Sequence, residues 1–219
     1  VLFRSLAEVE LGAEVVAGAV SEVGRALEQL AEIHEHLAKG EIYRGWRSVP
    51  VACSGLVGLA AAVSQPESIA VPDGFKFIVY WTAVGALALL VGCSEIAWHV
   101  AMRATTSERR RASQVLGQFL PALVAGALVT AVLVRLGPEF IRLLPGLWAL
   151  LFGVGIFSAR PYVPRASGWV ALYYWTAGLI LLWGSRDVNV MSPWTVGGTF
   201  GAGQLFGAAV LCWNLERQV

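Results

Sequence analysis

From residue 45 onward the chain is a series of apolar runs, each about as long as a bilayer is thick, separated by short charged breaks. A helix that crosses hydrocarbon needs about 20 mostly apolar residues, because every backbone group must be satisfied within the segment. Six runs fit: 46–64, 75–101, 113–134, 143–159, 166–185 and 191–214. The run 77–94 carries no charge at all. Hydrophobic residues make up 57% of the 219 and charged residues 14%. A water-facing domain carries about 25% charge, so the composition excludes a disordered chain and argues against an all-soluble globule. The expectation is an all-α protein: a polytopic six-helix transmembrane bundle over 45–215, preceded by a long amphipathic cytosolic helix over 6–40. Its first partner is therefore the lipid bilayer. A net charge of +1 gives no basis for nucleic-acid binding.

Orientation follows from the cations. One side of the expected bundle receives Lys39, Arg44, Arg47, Arg103, Arg109, Arg110, Arg111, Arg160, Arg165 and Arg217. The other receives only Lys76, Arg135, Arg142 and Arg186. Cytoplasmic loops hold the excess of Lys and Arg, so both termini are expected in the cytoplasm of a bacterial inner membrane. Trp46, Trp98, Trp169 and Trp213 fall at the inner boundary, and Trp81, Trp183 and Trp194 at the outer one, in the pattern of an aromatic belt. Pro50, Pro121, Pro145 and Pro193 lie near segment starts, where a missing N–H is tolerated. Short loops predict hairpins of the first run with the second, the third with the fourth and the fifth with the sixth. Arg135, Glu139 and Arg142 are expected to form salt links between external loops, as are Arg186 and Asp187.

Residues 6–39 differ in character from the rest of the chain. Seven Glu stand against Arg25 and Lys39, a local charge of −5. Apolar residues repeat every three or four positions at Leu6, Val9, Ala13, Val16, Val20, Val23, Leu27 and Leu30, then His34 and Leu37. That 3.5-residue period is coiled-coil-like. The flanking positions are Ala and Gly, which suits close packing. Val20, Val23, Leu27, Leu30 and Leu37 are read as the face that binds a cytosolic protein partner or a second copy; packing on the chain's own bundle is the plainer alternative. The acidic face argues against lying on an anionic membrane. His34 and His36 are two apart on this helix and point to different faces, so no metal site is expected. Residues 1–5 read VLFRS, the translation of GTG CTC TTC CGA TCT, which ends a common sequencing adapter. They are expected to be an artefact on a metagenomic fragment and are left out of fold reasoning.

Few residues carry chemistry. Glu95 and His99 are i and i+4 near the cytoplasmic end of the second run, a candidate proton or polar pair, or simply a helix-end cap. Tyr173 and Tyr174 lie deep in the fifth run, where hydroxyls need partners. Thr199 and Gln204 of the sixth run are the expected donors and acceptors, so the four form a candidate intramembrane polar patch. Gly197/Gly201 and Gly203/Gly207 are GxxxG pairs. Their apolar setting favours close helix packing over a phosphate loop, which needs a preceding strand. Cys53, Cys93 and Cys212 have no metal or disulfide spacing and are expected as small buried apolar side chains. No HExxH, GxSxG or paired intramembrane aspartate occurs, so no catalytic residue and no cofactor is assigned and an enzyme is not expected.

Three stretches also carry a likeness: Tyr43-Arg44-Gly45-Trp46, Leu143-Leu144-Pro145-Gly146-Leu147-Trp148 continuing to Gly155, and Phe200-Gly201-Ala202-Gly203-Gln204-Leu205-Phe206-Gly207. Over about residues 28–214 the chain resembles a group of uncharacterised bacterial six-span integral membrane proteins. The resemblance implies a six-span fold without established activity. Neighbouring winged-helix regulators in that group imply a regulatory or stress-linked role. Members often have His near the position of Gln204, and this chain departs from them there. The function expected is a non-enzymatic sensor or adaptor whose cytosolic helix binds a partner or itself; the alternative is a small-solute permease. A periplasm-dependent reporter such as alkaline phosphatase, fused after Val219, should stay inactive in cells; activity there would reverse the orientation.

Overall fold

A computed structural model describes residues 25, 29, 48–66, 74–102, 106–186 and 191–216; for 95–101, 106–108, 111–112 and 215–216 it describes the backbone alone. The chain divides into two units, Val1–Glu41 and Ile42–Val219. In the first, only Arg25 and Gln29 are described, both helical and exposed. Val20, Val23, Leu27, Leu30 and Leu37 lie outside the described residues.

The second unit is all-helical among its described residues. Its elements are α1 (Ser48–Ser64), α2 (Gly74–Met102), α3 (Thr106–Leu136), the single turn α4 (Pro138–Ile141), α5 (Leu144–Ser158), α6 (Ser167–Trp183) and α7 (Pro193–Leu211). Three stretches are long and apolar enough to cross a membrane: Gly74–Ser94, Ser113–Leu136 and Pro193–Asn214. Helices α1 and α5 are apolar but shorter. Helix α6 is diluted by Trp169, Tyr173, Tyr174, Trp175 and Trp183. The outer surface carries Leu56, Val63, Leu90, Leu128, Ile180 and Trp183 exposed. So much uncovered apolar surface is stable only against lipid, and the chain is a membrane protein.

The end signals are local. Helix α7 opens at Ser192, whose hydroxyl accepts from the Trp194 N–H at 3.4 Å, with Pro193 in the first turn. Between α3 and α4, Gly137 has φ 141°, a conformation L side chains rarely adopt.

Small residues decide which helices meet. The closest pairings are α1 with α7 and α5 with α6, followed by α1 with α2 and α3 with α5. Around the unit the neighbours run α2, α1, α7, α6, α5, α3. Each expected hairpin forms, but all three, α1 with α2, α3 with α5 and α6 with α7, are looser than α1 against α7. That pairing joins the two ends of the bundle. Hairpin reasoning counts loop length, whereas the closest approach follows glycine: Gly55 and Gly58 face Gly197 and Gly201. A methyl group built on Gly197 would stand 2.6 Å from Ala62 Cβ, the Gly58 carbonyl oxygen and Trp81 Cη2. On the other side, Gly146 and Gly153 of α5 meet Gly178 and Trp175 of α6.

Four expectations are corrected. Helix α3 begins seven residues before its apolar run, so Pro121 lies inside it rather than near its start. Without an N–H, Pro121 leaves the Gly117 carbonyl without its helical partner. Trp81 is not a belt residue. It is buried at 3% exposure among Ala61, Ala62, Phe77 and Val196, and its indole N–H donates to Gln65 Oε1 at 2.8 Å. Arg135, Glu139 and Arg142 are all exposed and form no ion pair among the described residues; the Glu139 carboxylate lies over Gly137 instead. Asp187 is outside the described residues. Cys53 is exposed, because its face of α1 looks outward.

The space around three glycines predicts their tolerance. Gly197→Ala should cost about 1–3 kcal/mol through overpacking. Gly58→Ala, whose new methyl meets its nearest neighbour at 3.6 Å, should change stability little. Gly85→Ala meets nothing within 4 Å and should stabilise by about 0.5–1 kcal/mol. Thermal unfolding in detergent checks all three; equal effects would mean that this packing is not the one present.

Candidate functional site

The tyrosines come first because they define one wall. Helix α6 sets Tyr173 and Tyr174 against α7. The Tyr173 hydroxyl donates to the Thr199 carbonyl oxygen at 3.0 Å, and the Tyr174 hydroxyl to the Phe200 carbonyl oxygen at 3.3 Å. The expected helix is the partner, but the bonds go to its backbone and not to the side chains of Thr199 or Gln204. Tyr174 is fully buried, and Gly203 makes room for it: any Cβ there would run into the Tyr174 ring and hydroxyl. Gly207, a turn further on, lies between Val170 and Val51. The two GxxxG pairs therefore serve different faces of α7, Gly197/Gly201 toward α1 and Gly203/Gly207 toward α6. Two of the four patch residues are already satisfied by packing.

Gln204 belongs to a different environment. Among the described residues its amide has no hydrogen-bond partner, and it lines a cleft of about 1620 Å³ between α2 and α3. The cleft exists because α2 and α3, though consecutive, scarcely touch. Their walls run from Phe75 to Cys93 on α2 and from Ser113 to Arg135 on α3. At the helical rise these are about 27 Å and 33 Å, close to the roughly 30 Å of a hydrocarbon core. Leu89, Leu90, Leu116 and Leu120 remain exposed on those walls, so the cleft opens sideways.

The floor is built by α1, α5 and α7, with Ser167 and Val170 of α6. Along α7 the cleft-facing residues are Val196, Phe200, Gln204, Gly207 and Leu211, a stripe of one helical face. Phe152 of α5 stands edge-on to Phe119 at 5.1 Å and to Phe200 at 5.5 Å between ring centroids. The Trp148 indole N–H donates to Thr130 Oγ1 at 2.8 Å, and that hydroxyl donates in turn to the Gly126 carbonyl oxygen at 2.7 Å. Ser54 is buried, faces the cleft, and donates to the Val51 carbonyl oxygen at 2.7 Å. Ser54, Thr130 and Trp148 are thus occupied, whereas the Thr82 and Ser167 hydroxyls on the same walls have no hydrogen-bond partner among the described residues. The Gln204 amide is free in the same way.

Sequence reasoning named Gln204 and assigned it the wrong neighbours. It did not find the cleft, since no pattern in α2 or α3 shows that two adjacent apolar helices will part. The small residues Ala83, Gly85, Gly92, Gly117 and Gly126 were the available signal. Glu95 and His99 are on α2, but their side chains lie outside the described residues. No group of three or more His, Cys, Asp or Glu comes together among the described residues.

No family model matches the chain, and no curated protein or solved structure proved similar to it. The likeness to six-span proteins therefore rests on the short motifs alone.

An unpartnered amide facing apolar walls is unfavourable, by about 1–3 kcal/mol on mutational scales. Gln204→Met, nearly equal in shape, should therefore raise the unfolding temperature. Tyr174→Phe should lower it, through a loss of stability of about 0.6 kcal/mol for one hydrogen bond within a membrane. A destabilised Gln204→Met would mean that the amide already has a partner.

Proposed function

We propose that this chain is a non-enzymatic sensor or adaptor of the bacterial inner membrane, six-pass with both termini cytoplasmic. Its bundle takes up an apolar molecule from the bilayer through the gap between α2 and α3. Its cytosolic helix, residues 6–39, engages a protein partner or a second copy through Val20, Val23, Leu27, Leu30 and Leu37. The observation that carries the reading is the cleft: as long as the hydrocarbon is thick, open sideways and lined by apolar side chains. Water gains nothing there, because a bound water needs two to four polar partners. Hydrocarbon does enter such a space, because apolar walls cost it no hydrogen bonds.

The permease alternative has less support. Tyr173 and Tyr174, half of the patch that motivated it, commit their hydroxyls to the α7 backbone. The remaining walls offer a polar solute no continuous series of free donors and acceptors. Glu95 and His99 remain the groups through which a proton-coupled role would act.

Two measurements test the two halves. Stearic acid bearing a photoreactive diazirine, added to the reconstituted protein, should label the Phe200 peptide on the cleft floor. Gly85→Trp together with Gly117→Trp, which add bulk where nothing lies within 4 Å, should suppress that label. Labelling confined to outward residues such as Leu56 and Ile180 would sink the cleft reading. Photo-crosslinking from Glu28 and Glu32 should capture a partner or a second copy, and Leu27→Asp with Leu30→Asp should abolish capture. Undiminished capture would remove the adaptor role.

A further inference from the structure

The depth of Gln204 narrows what the cleft can hold. It is the twelfth residue of the 22-residue span Pro193–Asn214. At the helical rise it lies about 16 Å from one end and about 15 Å from the other. That is the middle of a hydrocarbon core of roughly 30 Å. Phospholipid headgroups and ionised carboxylates stay at the interface, because charge at the bilayer centre is costly. Any molecule that satisfies this amide must carry an uncharged polar group to mid-membrane.

The surroundings specify more. Phe200 is one turn from Gln204 on the same face of α7, with Phe152 and Phe119 beside it. Gly207 follows on the other side, and a methyl group built there would meet only ordinary contacts from 3.7 Å outward. The buried Ser54 stands at the same level: it neighbours Gly55, against which Gln204 packs. This is an aromatic recess with one amide at its edge, and it suits a flat ring. An amide both donates and accepts, so it can meet a ring carbonyl or a ring hydroxyl. The cleft beyond the recess continues as a long apolar trench whose glycines and alanines leave room for methyl branches.

We propose that the cleft binds an isoprenoid quinone, with the ring in the aromatic recess, a ring oxygen hydrogen-bonded to the Gln204 amide and the tail along α2 and α3. The same amide donates to the quinone carbonyl and accepts from the quinol hydroxyl. The site therefore takes either form, and binding involves no electron transfer. This rests on the cleft being a ligand site at all, so the test separates the two claims.

The test is competition against diazirine-stearate labelling of the Phe200 peptide, using the full chain in nanodiscs. Decylubiquinone is compared with decylbenzene, which has the same tail and a ring without oxygens. Decylubiquinone should compete at about threefold lower concentration, the advantage of one hydrogen bond in hydrocarbon. In Gln204→Met the labelling should persist and the advantage should disappear; an unchanged or raised unfolding temperature verifies that this variant is folded. Equal potency of the two competitors on the wild-type protein, or an advantage that survives Gln204→Met, would overturn the quinone assignment and leave the apolar cleft standing. Absence of label at Phe200 in the wild-type protein would overturn both.

Discussion

The close approach of α1 and α7 is the contact on which the rest of the bundle depends. In lipid there is no hydrophobic drive between helices, so association comes from dispersion and hydrogen bonding at short range. Gly55, Gly58, Gly197 and Gly201 let two backbones come within contact of each other. That contact holds the two ends of the bundle together. Trp81 of α2 then closes over the same place, against Ala62 and Val196, with its indole hydrogen-bonded to Gln65. A second small-residue contact, Gly146 and Gly153 with Gly178, joins α5 and α6, and Tyr174 bridges the two halves through Gly203.

The cleft is the complement of that packing. Where small residues are matched by a partner, helices close. At Gly85 of α2 and Gly117 of α3 the small residues have no partner: nothing stands within 4 Å of a methyl group built on either. Both helices are largely exposed; α2 is held chiefly by α1, with Trp81 packing on Val196 and Ile78 on Leu144, and α3 is held chiefly by α5. Their separation leaves Phe152, Phe200 and Gln204 accessible from the side. Under the proposed sensor role such a gap has a reason, since the ligand would arrive within the bilayer and not from water.

The polar groups obey the same constraint. Tyr173, Tyr174, Trp81, Trp148, Thr130 and Ser54 each have a partner, most of them a backbone carbonyl. In hydrocarbon an unsatisfied donor has no water to turn to, so a buried hydroxyl is drawn to the nearest carbonyl. Gln204 departs from that pattern at the depth where the departure is most unfavourable, and the Thr82 and Ser167 hydroxyls depart from it elsewhere on the cleft walls. Violations of this kind are expected at functional positions, and under the proposed function the stability lost at Gln204 would be recovered when a ligand binds.

What the sequence determined by itself is what depends on periodicity and local chemistry. Runs of apolar residues define the helices, and the ends of α1, α2, α5, α6 and α7 fall within two residues of the expected boundaries, apart from the short continuations after α6 and α7. The GxxxG pairs on α7 were legible as packing surfaces, and the need of Tyr173 and Tyr174 for partners on α7 was legible from their depth. Tertiary structure alone decided which glycine met which neighbour, that Trp81 turns inward, and that Pro121 sits within a continuous helix. It alone decided that α2 and α3 part to leave a cleft with Gln204 on its floor. The reason is physical. Apolar pattern and helix propensity act along a single segment. A gap between two helices depends on where both are held by others, and no single segment carries that information.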